Sequence, residues 1–393
     1  MSIRACALQS PAFAALKAAY DDRDAAAKAW RAAGRKVLGK VGFDVPDELV
    51  MAAGMLPVQV YADPAKPLIQ TDTYLEHAFE PVVRAQFERL VDGTYSDLTD
   101  YIAISNSTDI VIRIYLYLRE LKRVEPDKKI PPITFIDWLF TRHRLHQTRN
   151  EFVISLFKQQ LEQWCGYAIT DDQIRAAGII CNENREALRR MAQLRHGEEV
   201  HISGSEALVI IGAGLFMEKE QHTALVRQVT EDARAWPVLE GPRVFFTGAN
   251  QEDTALYEKI ENTGVVIVGE DTDWGDRCYD RDYNPEYPVI RAIVDRYMLR
   301  EFSAKKAFVS QRVEALDREV DAAHAQGVIF YTNVYDEVAT WDMPKQRKRL
   351  EARGIRHTTF GSMLWPVEKN ADLDDRLAAF AAELKGGAES CLK

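Results

Sequence analysis

Strands that alternate with helices, twice along one chain, predict an α/β protein. The expected form is two doubly wound, Rossmann- or flavodoxin-like domains with parallel sheets, joined by helices. Three observations carry this. Short apolar, β-rich runs recur at 36–43, 56–62, 101–105 and 133–139, and again at 242–250, 264–271, 327–337 and 356–361. Helical patterns separate them. The stretch between the two sets shows helical spacing only. The chain therefore divides into N-terminal helices (1–36), a first α/β domain (37–145), a helical connecting region (146–239) and a second α/β domain (240–393).

Each element has a local reason. Residues 9–35 are alanine-rich, with Phe13, Leu16 and Tyr20 at helical spacing and Gly34 at the end, so one or two surface helices are expected. "KVLGKVGF" and "LPVQVYA" read as strands around the helix "VPDELVMAAG", which has Pro46 in its first turn and Gly54 as its stop. A helix over 72–91, the strand "YIAIS", a helix over 109–122 and the strand "ITFIDWL" complete the first domain. In 151–165, Phe157, Leu161, Trp164 and Cys165 share a face. "TDDQ" at 170–173 then fits a capping box for a helix carrying Ile174, Ala177, Cys181 and Leu188. Cys165 and Cys181 are thus expected on buried helix faces. Helices over 203–230, 252–262, 286–299, 308–325, 344–353 and 371–385 fill the remainder.

The 393 residues carry 50 basic and 60 acidic side chains, a net charge of −10. Nucleic acid or an anionic membrane would demand an uncompensated basic stripe, so neither is expected as a partner. The cysteines at 6, 165, 181, 278 and 391 form no CxxC pair, which argues against disulfides and zinc ribbons. No run approaches the roughly 18 apolar residues of a membrane span, and no signal pattern opens the chain, so the expected location is cytoplasmic.

In open α/β sheets ligands gather where strands end. Four such ends are polar: Asn106–Asp109, Thr247–Asn250, Glu270–Trp274 and Asn333–Glu337. The third is densest, with acids, Trp274, Arg277 and Cys278 in "EDTDWGDRCYDRDY"; it reads either as a ligand loop or as a solvated acidic loop. Its spacing matches no metal loop. Cys278 beside Arg277 could be an activated thiol or an inert one. "TGAN" at 247–250 could cradle phosphate at a helix start. His77, His143, His146 and His222 lack metal spacing and read as surface or capping residues. No GxGxxG, Walker A, GxSxG or HExxH motif occurs.

The segments "KVLGKVGFDVPDELVMAAGMLPVQVYA", "CNENREALRRMAQLR", "IGAGLFMEKEQH" and "GVIFYTNVYDEVATWDMP" resemble, in order, the 2-hydroxyacyl-CoA dehydratase / benzoyl-CoA reductase family over roughly residues 15–385. The resemblance implies an oxygen-sensitive enzyme of two paralogous subunits and a separate ATP-dependent activator that injects one electron. Each subunit would fold around a [4Fe–4S] cluster and an acyl-CoA pocket. It also implies three cluster cysteines, and here the chain departs. The Ser-Cys-Asp turn reads Ser107-Thr108-Asp109, the Phe-Cys-Asp-Pro turn reads Val334-Tyr335-Asp336-Glu337, and the first cysteine maps near Phe79, to within one residue. No cysteine lies between 7 and 164. Thiolates ligate iron–sulfur clusters, so no cluster is expected in this chain; a [4Fe–4S] group would belong to a partner, if anywhere.

Two readings of function follow from the resemblance. In the first, the chain is a cluster-free subunit that binds a coenzyme A thioester and pairs with a paralogous subunit. In the second, it is a self-sufficient, cluster-independent hydratase or dehydratase; a non-catalytic interaction protein is a third. Candidate catalytic residues are Tyr335, Thr108, Asp271 and Asp336; candidate substrate contacts are Phe79, Asp109, Glu270, Trp274, Asn250 and Asn333; no metal ligand is expected. Asp109 and Asp336 could equally be helix caps, and Tyr335 and Phe79 could simply fill volume.

Overall fold

The computed structural model describes residues 3–300 and 307–390; Cys391 lies outside them. Eight strands form two four-stranded sheets. The first contains β1 (Val37–Val41), β2 (Leu56–Gln59), β3 (Tyr101–Ser105) and β4 (Ile133–Ile136), ordered β2-β1-β3-β4. The second contains β5 (Arg243–Gly248), β6 (Val266–Glu270), β7 (Gly327–Asn333) and β8 (Arg356–Met363), ordered β6-β5-β7-β8. Every pairing is parallel. The α/β expectation, with two parallel sheets flanked by helices, holds.

Both sheets reverse direction of growth beside their first strand, between β1 and β3 and between β5 and β7. These are the switch points where such sheets leave a crevice. Strands buried on both faces explain the continuous apolar runs: β1 and β6 are buried at every position. Gly248 closes β5 with φ 125°; a Cβ there would lie 2.0 Å from the Tyr331 carbonyl oxygen on β7, so the position needs glycine.

The helix Asp171–His196 packs against both domains. Arg185 on it ion-pairs with Glu48 of the first domain, and Arg195 pairs with Glu270 of the second at 2.5 Å. Thr170 and Gln173 form the expected capping box.

Four expectations need correction. The helix over 72–91 is two pieces, Thr71–Tyr74 and Pro81–Val91, because Pro81 can start a helix but not continue one. Pro344 does not begin the next helix; it lies inside Glu337–Ala352. Cys165 is only half-buried, whereas Cys181 is buried. His222 is neither surface nor cap but fully buried. Its Nε2 donates to the Ile210 carbonyl at 2.8 Å, which leaves Nδ1 to accept from the Asn184 amide at 2.7 Å. That tautomer is neutral, and burial holds the ring down at about 4.

Candidate functional site

The crevice of the first sheet is filled by its own side chains. The Phe43 N–H donates to Ser107 Oγ (3.0 Å), the Asp44 N–H to Ser105 Oγ (3.3 Å), and the Ser107 hydroxyl to Asp44 Oδ2 (2.9 Å). Gly42, at φ 84°, lets the chain pass within 2.5 Å of both serine hydroxyls, measured from where a Cβ would sit. Thr108 takes the N-cap position of the helix Asp109–Val124, yet its side chain makes no cap bond, and its buried hydroxyl oxygen has no hydrogen-bond partner. Asp109 is that helix's exposed first residue, not its cap; there the helix dipole favours a carboxylate.

Phe79 is fully buried in the first domain. Arg113 lies over its ring at 4.2 Å, and Tyr117 meets it edge-on at 6.2 Å. Its neighbour Glu80 instead faces the second domain. There Asn333 favours its charged form, and Asp336 adds negative charge. Burial, then Asp336, push the Glu80 carboxyl up to about 7 against the effect of Asn333. Glu252 joins the group: burial raises it to about 8, with Arg23 opposing and Glu80 and Asp253 adding. Glu252 Oε2 and Asn333 Oδ1 are buried without hydrogen-bond partners. The two domains thus meet through carboxyl groups that hold protons near neutral pH.

Tyr335 sits beside this junction with half its surface exposed and a left-handed backbone, φ 66°. That conformation is strained for a bulky residue. Asp336 precedes the helix Glu337–Ala352, and its carbonyl accepts from the Thr340 hydroxyl. The residues at the family's ligand positions do not fit a [4Fe–4S] cluster. Such clusters need thiolates, and Phe79 or Glu80, Thr108 and Tyr335 offer none.

The loop after β6 builds a second feature, a cleft of about 600 Å³ beside the second sheet. Arg189, Arg277, Arg281, Arg300 and Arg318 line it, against five carboxylates: Glu270, Asp271, Asp276, Asp280 and Glu319. Glu270 is neutralised by Arg195. Burial lifts the Asp271 carboxyl to about 6; Arg277, then Thr247 and the Gly248 N–H, work against the rise. Trp274 points away, fully buried against Tyr20 and Phe216. Asn250 accepts from the Asp273 N–H at 2.9 Å and so ties this loop to β5. Cys278 donates its thiol to the Asp273 carbonyl, and burial raises it to about 11, the opposite of an activated thiol. "TGAN" opens no helix, since the next one starts at Ala255. Among the described residues no three His, Cys, Asp or Glu side chains converge as metal ligands, and no helix is long and apolar enough to cross a membrane.

A family model described as "2-hydroxyglutaryl-CoA dehydratase, D-component" matches residues 43–384. The chain belongs to this family. Its curated relatives include the (R)-phenyllactyl-CoA dehydratase beta subunit of Clostridium sporogenes, 27% identical over 82% of this chain and 85% of that subunit. The (R)-2-hydroxyglutaryl-CoA dehydratase beta subunit of Acidaminococcus fermentans is 23% identical over 84% and 88%. A benzoyl-CoA reductase subunit of Thauera aromatica is 26% identical over 88% and 90%. The relatives are subunits of multi-subunit dehydratases and reductases, and the resemblance read from the sequence is to this family.

Sequence reading missed Glu80, Glu252, Lys40, Arg185, Arg296 and Arg300. Some signal was present. Lys40 interrupts an apolar strand, and Arg185 falls on the helix face of Cys181 and Leu188; charges at such positions are buried and must be partnered.

Proposed function

We propose that this chain is a cluster-free subunit of a 2-hydroxyacyl-CoA dehydratase-like enzyme, binding a CoA thioester and pairing with a paralogous subunit. The cleft of about 600 Å³ carries the reading. Its volume lies within the roughly 300–1,000 Å³ of small-molecule sites. On its exposed rim Arg281 suits a coenzyme phosphate, since guanidinium pairs with phosphate in bidentate fashion. The relatives' names supply the chemical class. Their assignment as beta subunits supports a partner of the same family. The missing thiols support a role in shaping the acyl-CoA site, with any cluster held by the partner.

Thermal melts with and without millimolar CoA thioester, on the chain alone and with its paralogue, test this. A ligand that binds the native state raises the melting temperature, and Arg281→Glu, a charge reversal on the exposed rim of the cleft, should reduce the shift. No shift in either preparation would end the acyl-CoA reading.

The carboxyl junction favours a second reading, a self-sufficient hydratase or dehydratase. Glu80 and Glu252 hold protons near pH 7, as a general acid must. Turnover of an acyl-CoA by the isolated chain, lost in Glu80→Gln, would support it over the first.

A further inference from the structure

A second, inner cavity lies between the domains, and its chemistry is distinct from that of the cleft. Among the described residues, its walls carry the cations Lys40, Arg185, Lys219, Arg296 and Arg300 and the carboxylates Asp47 and Asp273, with Glu48, Asp44 and Asp280 paired to these cations from behind. The imidazole that also lines it, His222, is neutral by its hydrogen bonds. The open space is about 70 Å³. A single water takes roughly 10–15 Å³ of such space, so the cavity holds a few waters or one small oxyanion, not a coenzyme.

Each of the five cations has a carboxylate partner. Lys40 pairs with Asp47 Oδ1, and Lys219 lies 3.4 Å from Asp47 Oδ2 and donates to the Gly214 carbonyl. Burial alone would raise Asp47; the two lysines outweigh it and hold the carboxyl at about 2. Arg185 pairs with Glu48, and Arg300 reaches Asp280 (3.1 Å), Asp273 (3.2 Å) and Asp44 (3.5 Å).

Arg296 is different. Its side chain is 4% exposed, and Nη1 lies 3.1 Å from Asp280 Oδ1 as an ion pair. Yet neither Nη1 nor Nε has a hydrogen-bond acceptor. A buried guanidinium with two unused donors costs free energy. Burial, then Arg185 and Arg300, hold it below the usual arginine range, against the pull of Asp280.

We propose that this cavity is a binding site for one small oxyanion, a carboxylate or phosphate group, held by Arg296 with Lys40, Lys219 and Arg185 around it. An oxyanion there would accept the unused Arg296 donors. Two sources share this chemistry: a free anion such as inorganic phosphate, or the carboxylate of a short organic acid. The two sites share Arg300, but Arg296 lines the inner cavity alone, so its variants separate this inference from the acyl-CoA reading.

Isothermal titration of the full chain with inorganic phosphate, and separately with glutarate, tests it, with ionic strength held constant by chloride. The expected result is saturable binding of one equivalent of at least one of the two, with affinity falling tenfold or more in Arg296→Met and partly restored in Arg296→Lys. Arg190→Met, on the exposed face of the same long helix as Arg185, should bind as wild type. Phosphate alone binding identifies the free inorganic anion as the source; glutarate alone binding identifies a carboxylate. If Arg296→Met does not fold, Lys219→Met serves in its place with the same expected loss. No saturable binding of either anion by the wild-type chain overturns the proposal, as does equal affinity in wild type and the folded variants. CoA thioester binding by the same proteins reports on the outer cleft independently.

Discussion

Replacing Glu80 with glutamine should make the protein more stable, by an amount that grows as pH rises from about 4.5 to about 7. The carboxyl is raised from 4.5 to about 7 by burial and by Asp336. A folded-state pKa above the unfolded one means that the native state holds a proton the unfolded state has released. The associated stability is complete below about 4.5 and is lost as pH rises through about 7. At roughly 1.4 kcal/mol per pKa unit the deficit at pH 8 is about 3 kcal/mol. Partial solvent access at Glu80 reduces it to about 2. Glutamine keeps the shape and a hydrogen-bonding group for Asn333 but cannot ionise. Unfolding entropy of about 2.1 cal/mol/K per residue over 393 residues makes 2 kcal/mol worth roughly 2–3 °C. Melting curves of wild type and Glu80→Gln should therefore coincide below about pH 4 and separate by about that amount from pH 7 to pH 8. Glu252→Gln should act in the same direction, and the double variant by less than the sum, because the two carboxyls repel each other. Parallel pH profiles for wild type and Glu80→Gln would show that Glu80 is ionised in the folded protein and that the protonated junction does not exist.

Three further outcomes are expected. Protein purified without oxygen should be colourless near about 400 nm, because thiolate–iron charge transfer needs thiolates; stoichiometric iron and sulfide would refute the cluster-free assignment. Tyr335→Gly should raise stability by about 1 kcal/mol by relieving the left-handed backbone, whereas Tyr335→Phe isolates the hydroxyl: a turnover loss of roughly a hundredfold with folding intact would give it an acid–base role, and unchanged turnover would end that candidacy. Gly248→Ala should cost several kcal/mol or abolish folding, since its Cβ would lie 2.0 Å from the Tyr331 carbonyl oxygen; a melting temperature like wild type would contradict the β5–β7 pairing.

Strands were the most legible part of the fold. Val37–Val41 and Val266–Glu270 are buried on both faces, and that demand writes itself as apolar runs that no surface segment would carry. Helix ends were less legible where proline intervened. Pro81 and Pro344 look alike in a sequence, yet one begins a helix and the other lies within one. The difference is whether the i−4 carbonyl has another partner, which only tertiary packing decides. The cavity of buried cations was hidden for a related reason. Lys40, Arg185, Arg296 and Arg300 are scattered along the chain, and each alone resembles a helix-face or strand-end charge. Only the assembled domains bring them together.

Which side chain of the segment at 79–80 faces the second domain follows from backbone geometry. Pro81 forces the residue before it out of the helical region, and Glu80 accordingly takes an extended conformation, φ −53° and ψ 134°. Successive side chains of extended backbone point to opposite sides. Phe79 therefore turns into the first domain beneath Arg113, and Glu80 turns toward Asn333 and Asp336 of the second. A residue that must reach across the domain junction stands at 80, not at 79. The segment thus presents a carboxyl, rather than an aromatic ring, toward the turn where the family resemblance places a second ligand. An aromatic filler would leave the junction indifferent to pH, whereas a carboxyl raised to about 7 makes the meeting of the two domains depend on a proton. That is why Glu80→Gln, and not a substitution of Phe79, separates a merely filled space from an ionisable one.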